Sequence, residues 1–134
     1  MSVIVTDTGF SSAAPVSTVT LEQIANHQGT LDLTHADDPL AVEPYLAALS
    51  LIRISFPAFS DGRAFTIARR LRMLGYTGEL RATGPVIADQ YAMARRVGFD
   101  SVEIPDELAA RQPAEQWVFR ADWQAHNYQA RLRA

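Results

Sequence analysis

The chain contains neither cysteine nor lysine, and these two absences exclude more chemistry than any of its motifs supplies. Without a thiol it forms no disulfide, thiolate nucleophile, thiolate zinc site or cysteine-ligated iron–sulfur cluster of its own. Without a lysine amine it has no Schiff-base or lysine general-base route. All 12 cations are therefore arginine, permanently charged and suited to bidentate pairing with carboxylates and other anions; a GC-rich coding bias explains the same absence without function. His27, His35 and His126 show no metal-ligand spacing, so no metal site is expected. No apolar run reaches the roughly 18 to 20 residues of a membrane span. The segment Met1–Asp7 lacks the basic region of a secretory signal, so the expectation is a cytoplasmic protein with no membrane attachment. A net charge of −3 speaks against nucleic acid as a partner, which calls for a basic excess.

What is present reads as one α/β domain. With 134 residues, 48% apolar and 20% charged, the chain can build a core and is too apolar for disorder. Residues 1–20 read as an N-terminal arm, in which Val3-Ile4-Val5 can pair as an edge strand and residues 9–18 have turn character. Residues 21–112 read as the α/β domain. A short helix follows Thr20 as its capping residue, and Leu31–Thr34 alternates as a strand. Asp37 or Asp38 caps a helix to Leu49, with Pro39 in its first turn and Pro44 interrupting it. Leu51–Phe56 is a second strand, with Arg53 its one charge. A helix from about Gly62 to Leu74 stops at Gly75. Strand Glu79–Ala82, helix Val86–Val97 with Pro85 at its first position, strand Ser101–Ile104 and a helical turn Asp106–Arg111 complete the series. Residues 113–134, with Trp117, Phe119, Trp123 and Tyr128, form an aromatic tail expected to dock as a helix. The alternation predicts a parallel sheet of about four to five strands built from right-handed βαβ units, either open or half-barrel-like.

In a parallel sheet the segments that follow the strands gather along one rim, where α/β proteins place binding groups. Those segments hold His35, then Ser60, Asp61 and Arg63, then Thr83 and Gly84, then Pro105 and Asp106, with Asp89 and Gln90 one turn into the next helix. Asp61, Arg63, Arg81, Asp89 and Gln90 are therefore the candidate binding residues. Asp61 reads first as a cap for the helix behind it, and otherwise as a general base or a partner for Arg63. Arg63 either clamps an anion or forms an ion pair. Arg81 lies within a strand, where an unpaired charge is costly, and Asp89 is its expected partner. Neither G-x-G-x-x-G nor a P-loop pattern occurs, so no nucleotide is expected and the cofactor stays undetermined.

Phe56-Pro57-x-Phe59-x-Asp61-Gly62-Arg63-x-Phe65, Ala68-x-x-Leu71-Arg72, Gly75-Tyr76-x-Gly78-Glu79-x-Arg81-Ala82-x-Gly84, Asp89-Gln90 and Arg96-x-Gly98-Phe99-Asp100 together resemble a bacterial family of unknown function. Its genes lie beside those of assimilatory sulfite reductase, and its members are often labelled oxidoreductases of sulfite reduction. The resemblance runs over residues 50–104, with Thr66 where the family has serine. It implies a role in sulfur assimilation and cysteine biosynthesis. Three functions follow as expectations. The first is an accessory protein that binds sulfite reductase, an associated enzyme or a small oxyanion. The second is a cofactor-dependent oxidoreductase using the rim, flavin being a cofactor that needs no short motif. The third is a structural module that dimerises through an edge strand or the tail.

Overall fold

Strand-forming segments alternate apolar and polar side chains along most of the chain, and that period decides the architecture. The computed structural model describes residues 2–13, 17–56, 62–86 and 88–119. Six strands, β1 (Ser2–Thr6), β2 (Gly9–Ser12), β3 (Thr30–Leu33), β4 (Leu51–Ser55), β5 (Glu79–Thr83) and β6 (Ser101–Pro105), form one open sheet in the order β2-β1-β6-β5-β4-β3. Strands β3 to β6 are parallel and lie side by side in chain order, while β1 runs antiparallel to both β6 and β2. The sheet is thus mostly parallel and larger than expected, by an N-terminal hairpin. Val3-Ile4-Val5 is an interior strand rather than an edge, because residues 9–12 form β2 outside it. Only Phe10 among those four residues carries an inward apolar signal, so the second strand was hard to see in the sequence.

The α-helices are α1 (Arg63–Met73), α2 (Tyr91–Val97), α3 (Asp106–Arg111) and α4 (Ala114–Phe119), with 3₁₀ turns at Leu21–Asn26, Pro39–Ala48 and Ala88–Gln90. Pro44 removes a backbone donor in the middle of the β3–β4 connection, which winds as 3₁₀ turns instead of one α-helix. The Asp38 carboxylate caps it by accepting the Leu40 N–H at 3.0 Å. Thr20 precedes its helical turn without a side-chain cap. The helix expected from Val86 starts later, since the Val86 N–H donates to Gly84 O at 2.9 Å and its side chain is buried.

One side of every strand feeds a single apolar cluster. Leu31, Leu33, Ile52, Ile54, Leu80, Ala82, Val102, Ile104 and Val5 meet Ala64, Ile67, Ala68 and Leu71 of α1, Tyr91 and Ala94 of α2, Leu108 of α3 and Trp117 of α4. Among the described residues each α-helix buries side chains in this cluster, so these helices share one side of the sheet. Same-handed crossovers between adjacent strands require that arrangement. Trp117 is fully buried, stands edge-on to Tyr91 at 5.9 Å, and donates from Nε1 to Gln112 O at 2.9 Å. The first turns of the tail therefore dock as a helix, whereas Trp123 and Tyr128 lie outside the described residues.

The end of the sheet where β5 and β6 begin is tied by Arg72. Its Nε and Nη2 donate to Gly98 O at 3.0 and 2.8 Å, and its Nη1 donates to Tyr76 O and Gly78 O at 2.9 and 2.8 Å. Nη2 also meets Asp100 Oδ2 at 2.7 Å, and that oxygen accepts the Leu80 N–H at 2.9 Å. One guanidinium thus joins α1 to the segments that enter two strands. Phe56, Phe65 and Phe99 pack together with ring centroids 5.0 to 6.4 Å apart. Much of the 56–100 motif is accordingly architecture.

Tyr76 is buried against this tie, and burial pushes its phenol up to about 12. The unfolded phenol titrates near its ordinary value of about 10. Its contribution to stability is therefore complete below pH 10 and is lost as pH rises from 10 to 12. Urea unfolding series across that window should show stability falling with pH, and Tyr76→Phe should flatten the decline.

Candidate functional site

The second side of the parallel strands carries charge where such strands are usually apolar on both faces. In register across the sheet stand Asp32 on β3, Arg53 on β4, Arg81 on β5 and Ser101 on β6. Two cations on neighbouring strands repel, and three carboxylates hold them. Arg53 donates from Nε and Nη2 to the two oxygens of Asp32 at 2.7 and 2.9 Å. Arg81 donates from Nη2 to Glu79 Oε2 at 2.7 Å and from Nε to Ser101 Oγ at 3.3 Å. Glu103 Oε1 accepts from both arginines, at 3.4 Å from Arg53 Nη1 and 3.3 Å from Arg81 Nη1. Ser2 Oγ donates to the other Glu103 oxygen at 2.8 Å, and Thr18 Oγ1 donates to Asp32 Oδ2 at 2.7 Å.

The network is buried at Arg81 and Ser101, half-open at Asp32 and Glu79, and satisfied. Arg81 is 8% and Ser101 3% exposed, and among the described residues no buried side-chain polar atom lacks a hydrogen bond. Two arginines against three carboxylates leave this network at −1. The Asp32 hydrogen bond raises the Arg53 guanidinium further above its ordinary value. Glu103→Gln removes the carboxylate that both arginines share while their second partners stay. A loss of about 2 kcal/mol is expected, read as a lower urea midpoint at unchanged slope.

Among the described residues a cleft and a groove open beside the ends of β3 and β4. A cleft of 440 Å³ lies on the charged face and is lined by Thr20, Glu22, Asp32, Thr34, Asp37, Arg53, Ser55 and Thr83. Its single cation is already bound in bidentate fashion by Asp32, and three carboxylates surround it. Coulomb repulsion makes this a poor place for a small oxyanion. A groove of 390 Å³ runs on the helix side between Pro39–Ala48 and α1, lined by His35, Asp37, Asp38, Leu40, Arg63, Thr66, Ile67 and Arg70 among others. Asp37 accepts the Thr34 N–H at 2.8 Å, so both aspartates of the groove hold backbone.

Of the five candidate residues, the four that are described, Arg63, Arg81, Asp89 and Gln90, fall on different elements and on both sides of the sheet. Arg63 opens α1, is exposed, and shares the groove with His35. Arg81 belongs to the opposite face, and its carboxylate partners are Glu79 and Glu103 instead of Asp89. The reason is parity: Leu80 and Ala82 point into the helix layer, so Arg81 points away from it, while Asp89 and Gln90 sit in the 3₁₀ turn after β5. Asp89 is exposed and Gln90 half-buried. Asp61 and the turn 57–61, with the capping role expected there, lie outside the described residues. Asp32, Glu103 and Arg72 were missed. Asp32 and Glu103 were visible as polar positions of alternating strands, but only the strand order brings them to Arg53.

The family described as "Bacterial protein of unknown function (DUF934)" matches residues 30–134, and the chain belongs to it. The match begins at β3 and leaves the β1–β2 hairpin outside. Neither a curated protein nor a solved structure matches.

Proposed function

We propose that this protein is an accessory component of assimilatory sulfite reduction, within cysteine biosynthesis, that acts by binding a reductase of that system. The pathway rests on the resemblance of residues 50–104. The mode of action rests on one observation: the sheet-face arginines Arg53 and Arg81 are neutralised by Asp32, Glu79 and Glu103. A sulfite or sulfate ion would have to displace fixed carboxylates to reach them, which favours a protein partner over a bound oxyanion. One feature supports a second reading, a cofactor-dependent oxidoreductase: the 440 Å³ cleft lies at strand ends, where α/β enzymes bind cofactors. Flavin or haem bands in the absorption spectrum of purified protein would select that reading.

Deletion of the gene tests the pathway. The deletion strain is expected to grow on sulfide or cysteine and to fail on sulfate and sulfite. Normal growth on sulfate would overturn the assignment. Titration of sulfite into the purified protein is expected to give no heat of binding.

A further inference from the structure

Arginines make up four of the 11 residues of α1, Arg63, Arg69, Arg70 and Arg72, and no acidic residue stands in the helix. Arg72 is turned inward, and Arg53, Arg72, Arg81 and Arg95 each meet a carboxylate. Arg69 and Arg70 differ from them. Both are exposed, and among the described residues neither has a hydrogen-bond or ion-pair partner. They lie on the outer side of α1, opposite the buried Ile67, Ala68 and Leu71.

Apolar surface flanks this pair on both sides. Arg70 lines the 390 Å³ groove with Ile67, and across it stands Leu40, 59% exposed. One turn further along α1 stands Met73, 77% exposed. Single exposed apolar residues are ordinary, but apolar surface beside unanswered charge is the composition of a protein contact. Among the described residues no hydrogen bond or ion pair joins Arg70 to Asp37 or Asp38, whose carboxylates accept the Thr34 and Leu40 amides. Nor does the chain's own C-terminal segment have the complementary sign, as residues 120–134 contain three Arg and one Asp.

We propose that the outer face of α1 and the groove beside it bind an acidic, amphipathic segment of a protein partner. Carboxylates of that segment meet Arg69 and Arg70, and its apolar side chains cover Leu40 and Met73. Nucleic acid would leave the exposed apolar side chains Leu40 and Met73 uncovered. A protein segment satisfies both parts of the surface. The inference deepens the partner-binding reading above and rests on it for its role in the cell.

The test places the photo-cross-linker p-benzoylphenylalanine at Leu40, at Met73, or at Ser11 on β2 as a control, in the full-length protein expressed in the deletion strain. The expected result is one and the same protein cross-linked from positions 40 and 73 and not from 11, through a peptide of net negative charge. The yield should fall about tenfold with Arg69→Glu/Arg70→Glu, fall less with Arg69→Gln/Arg70→Gln, and be restored by Arg69→Lys/Arg70→Lys. Thermal melting of the Gln pair should match the parent, which separates lost binding from lost folding. Cross-links to nucleic acid or to a second copy of this chain overturn the proposal, as does a yield indifferent to charge at 69 and 70. Normal growth of the deletion strain on sulfate would instead fail the pathway reading and leave the cross-linking result standing.

Discussion

Replacing Arg72 with alanine is expected to lower folding stability by about 3 to 4 kcal/mol, the largest single-residue effect outside the apolar core. The side chain makes four hydrogen bonds to the carbonyls of Tyr76, Gly78 and Gly98 and a fifth to Asp100. Without it, three carbonyl oxygens at the start of β5 and β6 lose a charged donor, and each unsatisfied group costs on the order of 1 to 3 kcal/mol where water does not replace it. Arg72 is 26% exposed, so water does replace part of the loss. Lysine at this position keeps the charge but not the fork, and should recover only about 1 kcal/mol. Urea denaturation of Arg72→Ala and Arg72→Lys measures both. A loss below about 1 kcal/mol for alanine would show that the tie does not hold the strand entries.

The second large effect is expected at the opposite end of the sheet. Gly84 follows β5 with φ of +114°, and a Cβ there would stand 2.5 Å from the backbone oxygen of Phe56. Both the positive φ and the close approach exclude alanine without backbone movement. The Gly84 N–H donates to Glu103 O at 3.1 Å and the Phe56 N–H to Thr83 O at 2.8 Å, so movement would separate the ends of β4, β5 and β6. Gly84→Ala should cost about 2 to 4 kcal/mol, again measured by urea unfolding. An alanine variant within about 0.5 kcal/mol of the parent would contradict the packing at this rim.

The parallel core was legible because its local signals agree. Leu51–Phe56, the helix stopped at Gly75 and the strand closed by Pro105 each combine an apolar period with a boundary residue. The N-terminal hairpin was less legible, because β2 is four residues long with a single inward aromatic. The candidate site was readable as positions and not as pairs. Arg81 announced that it needed a carboxylate, but naming Glu79 and Glu103 required the strand register and the side from which Arg81 projects. The role of Arg72 was not legible, since nothing local distinguishes an arginine that folds back onto carbonyls from one that faces water. The exposed pair Arg69-Arg70 is set apart by the structure, where Arg53, Arg72, Arg81 and Arg95 each meet a carboxylate.

Binding at the strand-end groove is the claim on which the functional account turns, and amide hydrogen exchange tests it directly. The protein is compared alone and with purified assimilatory sulfite reductase. Slower exchange confined to residues 35–40 and 63–73 is the predicted result, with the β1–β2 hairpin unchanged. Identical exchange in both samples, or protection centred on the hairpin, would contradict it.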